Sequence, residues 1–210
     1  TPPKTQAALL EAMQEKVVTY GGQHHPLPAP FLIIATQNPI EQAGTYPLPE
    51  AQLDRFLLYI KLGYPSEQEE LDVLEKTTGT YKGKPEVVFT GIDIQNLQKL
   101  TREVHIDSQL LVYINKLIRA TRPDNSQIQS VIDYVEWGAG TRAGQALILC
   151  AKARALVKGR YSVTPEDIKT LAYPVLRHRL SLHFRAEAEN IQPDAVISKI
   201  LEAFPIHAGK

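Results

Sequence analysis

Residues 31–56 constrain the fold more than any other part of this 210-residue chain. The stretch opens with six apolar or β-branched residues, 31–36, and Pro39 soon ends the run. A short, continuous apolar run is typical of a strand that is buried on both faces of a parallel sheet. A second run of the same kind, 57–62, follows the stretch. The sequence therefore predicts an α/β core that contains both strands.

Polar residues follow the first predicted strand at the end where parallel sheets bind their ligands. Asn38 lies at the exit of the strand, and a loop with glycine and proline then leads to a short helical segment, 50–56. Leu53 and Phe56 share one face of that helix, so Arg55 points away from them. Each polar residue alone has an ordinary structural explanation, as a turn residue or a helix-end cation. Together they indicate phosphate chemistry.

A second phosphate-binding pattern precedes a long helix that the sequence predicts over 142–158. Arg142 lies in its first turn, where a positive charge opposes the helix dipole, so an external anion best explains a basic residue there. Gly138 and Gly140 would let a ligand approach the backbone. We therefore predict that Arg142, Gly138 and Gly140 contact a bound cofactor.

Motifs along nearly the whole chain resemble those of the MoxR family of AAA+ ATPases. In the family's order they are ATQNP at 35–39, GTYPLPEAQLDRF at 44–56, GAGTRAGQAL at 138–147, VTPEDI at 163–168 and VLRHR at 175–179. The resemblance implies that Asn38 is the sensor 1 residue, Arg55 the arginine finger and Arg142 the sensor 2 arginine. It also implies ATP and Mg²⁺ as cofactors and a homo-oligomeric, hexameric ring. The ring would act as a chaperone-like remodeller of client proteins, with von Willebrand factor A domain proteins among the partners.

The same resemblance implies fold class α/β plus all-α. Residues 1–63 would be the C-terminal part of a partial P-loop (AAA+) αβα core, with the pre-sensor 1 hairpin, sensor 1 and the arginine finger. Residues 64–90 would form a linker and the first lid helix. Residues 91–210 would form a helical AAA+ lid domain that carries sensor 2.

Two motifs of an active ATPase do not occur in this sequence. It contains no G-x-x-x-x-G-K-[ST] motif and no Asp-Glu pair at the end of an apolar strand. In the resembled family both lie upstream of the position of Thr1, so we expect a fragment that begins just after the Walker B acidic pair. ATP and Mg²⁺ would then be bound mainly by the upstream segment. We expect the chain alone to be inactive as an ATPase.

Composition bears on the choice between classes of function. Lys and Arg together number 23, as do Asp and Glu, and this balance gives no support to a DNA-acting AAA+ relative or to nucleic acid as a partner. No apolar stretch reaches membrane-spanning length and no signal peptide is visible, so we expect a cytoplasmic protein without membrane insertion. A non-catalytic helical interaction module remains the alternative. It explains the helical half but not the Asn-then-Arg arrangement.

Five other residues have simpler explanations than a role in chemistry. The single cysteine, Cys150, excludes an internal disulfide and is expected to pack on a helix face. The adjacent pair His24 and His25 would point to opposite faces of a strand, so we predict no metal site there. Arg177 and Arg179 are expected to complement the C-terminal dipole of a helix.

Overall fold

The computed structural model describes residues 3–37, 48–80 and 83–206. In these ranges the chain forms helices α1–α10, short strands β1–β4 and one 3₁₀ turn, Pro123–Asn125. In chain order the helices and strands are α1 Pro3–Glu15, β1 Val17–Tyr20, β2 Gln23–Pro26, α2 Glu50–Leu53, α3 Glu67–Thr78, α4 Gly91–Glu103, α5 Ser108–Ala120, α6 Gln129–Tyr134, β3 Val135–Trp137, α7 Thr141–Val157, α8 Pro165–Leu176, β4 Ser181–Leu182, α9 Phe184–Ala188 and α10 Pro193–Ala203.

The hydrophobic core lies in the C-terminal half, where α5, α7, α8 and α10 pack together. Each helix contributes a fully buried aliphatic side chain, for example Leu117, Leu147, Ile168 and Ile197. Burial of one such side chain stabilises the fold by about 1.5–3 kcal/mol. Cys150 belongs to this core, as predicted from its position on the apolar face of α7. The core therefore fixes α7 and α8, the two helices that carry basic side chains toward residues 54–59.

Helix starts follow the capping signals in the sequence. The Ser66 backbone N–H donates to the Glu69 carboxylate at 2.8 Å, which completes a capping box at the start of α3. Asp107 caps α5 by accepting from the Gln109 N–H at 2.7 Å. Such caps satisfy backbone donors that have no partner inside the helix. Helix α3 ends at Gly79, which is its C-cap residue.

The predicted hairpin after α1 is confirmed. Strands β1 and β2 pair antiparallel, with Val17 opposite Pro26 and Tyr20 opposite Gln23. Gly21 and Gly22 connect them with φ values of +59° and +77°. Both values lie in the left-handed region, which two-residue hairpin turns require and glycine adopts without strain.

The prediction of core strands at 31–36 and 57–62 is wrong. Within the described part of the chain, neither segment belongs to a sheet. Their apolar side chains are largely exposed: Leu32 is 78% and Ile60 is 70% accessible. A strand needs a neighbour for its backbone hydrogen bonds, and the described strands pair only as β1 with β2 and β3 with β4. An apolar pattern identifies residues that are suited to burial but does not provide that neighbour.

Strands β3 and β4 were not predicted, since the sequence from residue 93 onward indicated helices alone. They pair antiparallel, with Val135 opposite Leu182 and Trp137 opposite Ser181, and the register is irregular between Val135 and Trp137. Strands of three and two residues are too short to leave an alternating pattern in the sequence. Their pairing brings the start of α7 close to the chain that leaves α8. Across the described ranges, no helix combines the length and apolarity needed to cross a membrane.

Candidate phosphate-binding site

Asp54 joins two arginines that come from distant parts of the chain. Its Oδ2 lies 3.0 Å from Nη1 of Arg142 in the first turn of α7, and its Oδ1 lies 2.9 Å from Nε of Arg179 beyond the end of α8. The side chain of Arg179 is only 2% exposed, whereas that of Arg142 is 48% exposed. One carboxylate therefore holds a buried guanidinium and an accessible one on either side. Arg142 is thereby tied to the residue next to Arg55.

Arg55 is half-buried, and its guanidinium forms hydrogen bonds with Ala51 and Gln14. Its Nη1 donates to the Ala51 carbonyl oxygen at 2.8 Å. With the Gln14 amide oriented so that its oxygen faces Arg55, that oxygen accepts from Nε and Nη2 at 3.1 Å each. These contacts use three of the five N–H donors of a guanidinium. The fork is held in place and still has donors that can bind an anion.

The two predicted arginines, Arg55 and Arg142, both lie in the wall of one cavity of about 490 Å³. Phe31 and Leu57 add apolar surface, and Glu15 is the carboxylate of this wall. Guanidinium groups bind phosphate with paired, parallel hydrogen bonds and remain charged at all physiological pH values. The cavity therefore suits an anion with several oxygens, such as the end of a nucleoside triphosphate.

The predicted glycines lie elsewhere, in the wall of a cavity of about 520 Å³ that also contains Gln37 and Trp137. A Cβ on Gly138 would collide with the backbone of Thr121, so close packing already explains this glycine. Beside Gly140 there is open space, with no described atom within 4 Å of a Cβ placed there. The predicted group of Gly138, Gly140 and Arg142 is thus divided between two cavities. Ligand contact by the glycines stays a prediction.

Asn38 lies outside the described residues. Its neighbour Gln37 is in the wall of the 520 Å³ cavity. The role of Asn38 as sensor 1 stays a prediction.

Three consecutive residues beyond the end of α8, Arg177, His178 and Arg179, form hydrogen bonds with the segment 54–59. Nη1 of Arg177 donates to the Tyr59 carbonyl oxygen at 3.1 Å, and its Nε and Nη2 bind Asp194 at 3.0 and 3.1 Å. The expected role of Arg177 and Arg179 as simple dipole partners is therefore incomplete. A basic run at a helix end was the available signal, but the sequence cannot tell which distant carbonyl groups it will bind.

His178 is held neutral between α8 and the 54–59 segment. Its Nε2 donates to the Phe56 carbonyl oxygen at 3.0 Å, and its ring stacks on Tyr59 with centroids 6.1 Å apart. Burial, together with the charge of the neighbouring Arg179, lowers the pKa of His178 to about 4. In the unfolded chain the pKa of this histidine is about 6.5. Between pH 6.5 and 4, His178 therefore binds more protons in the unfolded chain than in the folded one.

We therefore expect the free energy of unfolding to fall as the pH drops from 6.5 toward 4, by about 1 kcal/mol at pH 5 after allowance for partial solvent exposure. His178→Gln should weaken this pH dependence, because its amide can still donate to Phe56 but does not titrate there. Thermal unfolding at pH 7 and pH 5 measures the effect. His24→Gln, on the exposed strand β2, is the matched control and should keep the full drop. Equal drops in both variants would show that another group is responsible.

Comparisons with known proteins agree on the family. Residues 1–58 match the model of the ATPase family associated with various cellular activities (AAA), and residues 130–200 match the AAA lid domain. The chain is 43% identical to Chaperone MoxR1 of Mycobacterium tuberculosis over 96% of this chain and 53% of that protein. It is 42% identical to protein YeaC of Bacillus subtilis over 98% of this chain and 62% of that protein.

The fold agrees as well. A crystal structure from Cytophaga hutchinsonii, described as a "putative ATPase", superposes with a TM-score of 0.90 at 41% identity and covers all of this chain and 63% of that one. The predicted fold class, a partial AAA+ core followed by a helical lid, is confirmed by these matches. The chain spans about half to three fifths of the length of these relatives.

Proposed function

Since the chain belongs to the MoxR family of AAA+ ATPases, we propose that it supplies the sensor, arginine-finger and lid part of an enzyme that binds and hydrolyses ATP. The observation that carries the proposal is that Arg55 and Arg142 lie in the wall of one cavity. Asp54, the residue before Arg55, forms an ion pair with Arg142 and so connects the two. Two guanidiniums on one wall match the negative charge of a triphosphate.

The chemistry assigned to these arginines is stabilisation of charge. In phosphoryl transfer the transition state spreads charge over the γ-phosphoryl oxygens, so catalysis depends on positioning and electrostatics. Arg55 would donate from its fork to those oxygens. Arg142, which lies in the same cavity wall, would bind the same phosphate chain. Because both arginines belong to one face, we propose that they act together on the nucleotide of the adjacent subunit.

Of the two implied cofactors, we assign contacts with this chain to ATP but not to Mg²⁺. The arginines fit the phosphates of ATP, whereas the described residues contain no group of three or more His, Cys, Asp or Glu side chains that could hold a metal ion. In P-loop enzymes a P-loop hydroxyl and a Walker B carboxylate hold Mg²⁺, and neither motif is present in this sequence. We assign no Mg²⁺ ligand to the described residues.

Asn38→Ala, made in the intact ATPase in which a P-loop precedes this chain, should lower kcat more than it weakens ATP binding. The amide of Asn38 would contact the γ-phosphate or the attacking water mainly in the transition state. Steady-state hydrolysis and equilibrium binding of a fluorescent ATP analogue measure the two effects. Gln37→Ala, the adjacent amide, is the matched control. A variant whose only defect is weaker binding would contradict the sensor 1 role.

We propose further that the intact protein is a cytoplasmic homo-oligomer, a hexameric ring, that remodels client proteins in the manner of a chaperone. Support comes from the family and from a relative that is named a chaperone. Von Willebrand factor A domain proteins are the candidate partners, on the basis of the MoxR resemblance. Native mass spectrometry with and without ATP tests the ring. Intact protein that neither assembles nor hydrolyses ATP would favour the alternative, a non-catalytic helical interaction module.

A further inference from the structure

We infer that Arg179 is a positioning residue that fixes the Arg55 finger by binding the backbone on both sides of it. The inference rests on the proposed function, in which Arg55 donates to phosphate. Arg179 itself touches no substrate in this scheme. It acts through the segment that carries Arg55.

The contacts of Arg179 surround the finger residue. Its Nη2 donates to the carbonyl oxygens of Asp54 and Phe56, at 3.0 and 2.6 Å, and these are the peptide oxygens of the residues directly before and after Arg55. Its Nη1 donates to the Leu57 carbonyl oxygen at 3.3 Å, and its Nε binds the Asp54 carboxylate at 2.9 Å. One guanidinium therefore spans four consecutive residues, 54–57.

Because the guanidinium of Arg179 is buried, it needs several hydrogen-bond partners within the protein. The Arg179 side chain is 2% exposed, so its charge depends on protein partners for stabilisation. A planar fork with five donors can satisfy several carbonyl oxygens and a carboxylate at once. A lysine ammonium is a single point charge and can keep the ion pair with Asp54 but not this whole set of contacts. The geometry thus distinguishes arginine from lysine at this position.

The backbone of Arg179 is fixed to the lid helices. The Arg179 N–H donates to the Leu176 carbonyl oxygen at 2.8 Å, at the end of α8, and α8 packs along α7. Helix α7 begins next to Arg142, whose guanidinium binds the same Asp54 carboxylate. The lid helices therefore set the positions of Arg55 and Arg142 together. A change in the lid would move the finger with it.

Arg177 provides a matched control two residues away. It leaves the same helix end and has a well-buried side chain, 13% exposed. Its side chain donates to the Tyr59 carbonyl oxygen and pairs with Asp194, and none of these hydrogen bonds goes to residues 54–57. Arg177→Lys removes a comparable fork without loosening the residues beside Arg55.

The test compares Arg179→Lys with Arg177→Lys in the intact ATPase. Arg179→Lys should lower kcat by about 10-fold to 100-fold, the scale of a small misplacement of a catalytic group, with little change in KM for ATP. Arg177→Lys should leave kcat and KM near wild type. Mixing Arg179→Lys subunits with P-loop-disabled subunits should restore activity, because the Arg179→Lys subunit keeps a sound nucleotide site and lacks only a well-placed finger. Wild-type kcat in Arg179→Lys, or lost activity that mixing does not restore, would overturn the inference.

A second measurement separates this inference from the proposed function. Amide hydrogen exchange at Arg55 and Phe56 should become at least about tenfold faster in Arg179→Lys but not in Arg177→Lys, since only the first releases this backbone. If Arg179→Lys does not assemble, the neutral pair Asp54→Asn with Arg179→Gln replaces it and should show the same faster exchange. Wild-type protein without ATP turnover contradicts the proposed function, whereas unchanged exchange at these two amides overturns the role of Arg179.

Discussion

Arg55→Ala in the intact ATPase should reduce ATP hydrolysis by about 10³-fold or more and leave ATP binding nearly unchanged. The guanidinium would contact the γ-phosphoryl group chiefly as charge develops, so its loss raises the barrier rather than the dissociation constant. Arg55→Lys should recover little activity, because an ammonium cannot reproduce the fork. Single-turnover hydrolysis and equilibrium nucleotide binding measure the two quantities.

Arg119→Ala is the control for this experiment. Arg119 is an exposed arginine on α5 that donates to Asn125 at 3.3 Å, away from the cavity that contains Arg55. Its loss should change hydrolysis little. Equal activity of Arg55→Ala and Arg119→Ala would remove Arg55 from the mechanism.

Asp167→Asn should destabilise the fold by about 3 kcal/mol, because it leaves two arginines without their counter-charge. Asp167 is fully buried, and its carboxylate binds Arg154 at 2.6 Å and Arg160 at 2.6 and 2.8 Å. It also accepts from the backbone N–H and the hydroxyl of Thr164 at the start of α8. For a chain of this size the change corresponds to a fall in Tm of roughly 6–12 °C.

The neighbouring Glu166→Gln controls for charge in the same helical turn, since Glu166 is exposed, and it should shift stability by less than about 0.5 kcal/mol. Burial would raise the pKa of Asp167, but hydrogen bonds from Arg160, the Thr164 backbone and Arg154 outweigh it and hold the pKa well below its usual range. This stabilisation is therefore complete above about pH 4, the unfolded value, and is lost as the pH falls below it. An unchanged Tm in Asp167→Asn would show that the cluster contributes nothing.

Local signals in the sequence predicted the helices well. The long helix predicted over 142–158 is α7, Thr141–Val157. Ser66, Asp107 and Gly79 mark helix ends through contacts within a few residues of sequence. Sheet pairing requires a partner from elsewhere in the chain. The strands predicted over 31–36 and 57–62 failed for that reason, and β3 and β4 were too short to be recognised.

The candidate site shows the same division. Arg55 and Arg142 were found from their residue types and positions, and they share one cavity wall. Their link through Asp54 and Arg179 spans 88 and 125 residues of sequence, so no local pattern could reveal it. Gly138 was assigned to a ligand, yet its contact with Thr121 across the fold explains the absence of a side chain.

The proposal that Arg55 and Arg142 both act on the neighbour's nucleotide is tested most directly by mixing Arg55→Ala and Arg142→Ala subunits of the intact ATPase. If both arginines act on the neighbour's nucleotide, every mixed interface lacks one of them, and hydrolysis should stay as low as in either variant alone. Each variant mixed with P-loop-disabled subunits should instead recover part of the activity, which also shows that subunits exchange. Recovery in the mixture of Arg55→Ala with Arg142→Ala would contradict this proposal, because it would place Arg142 at the nucleotide of its own subunit.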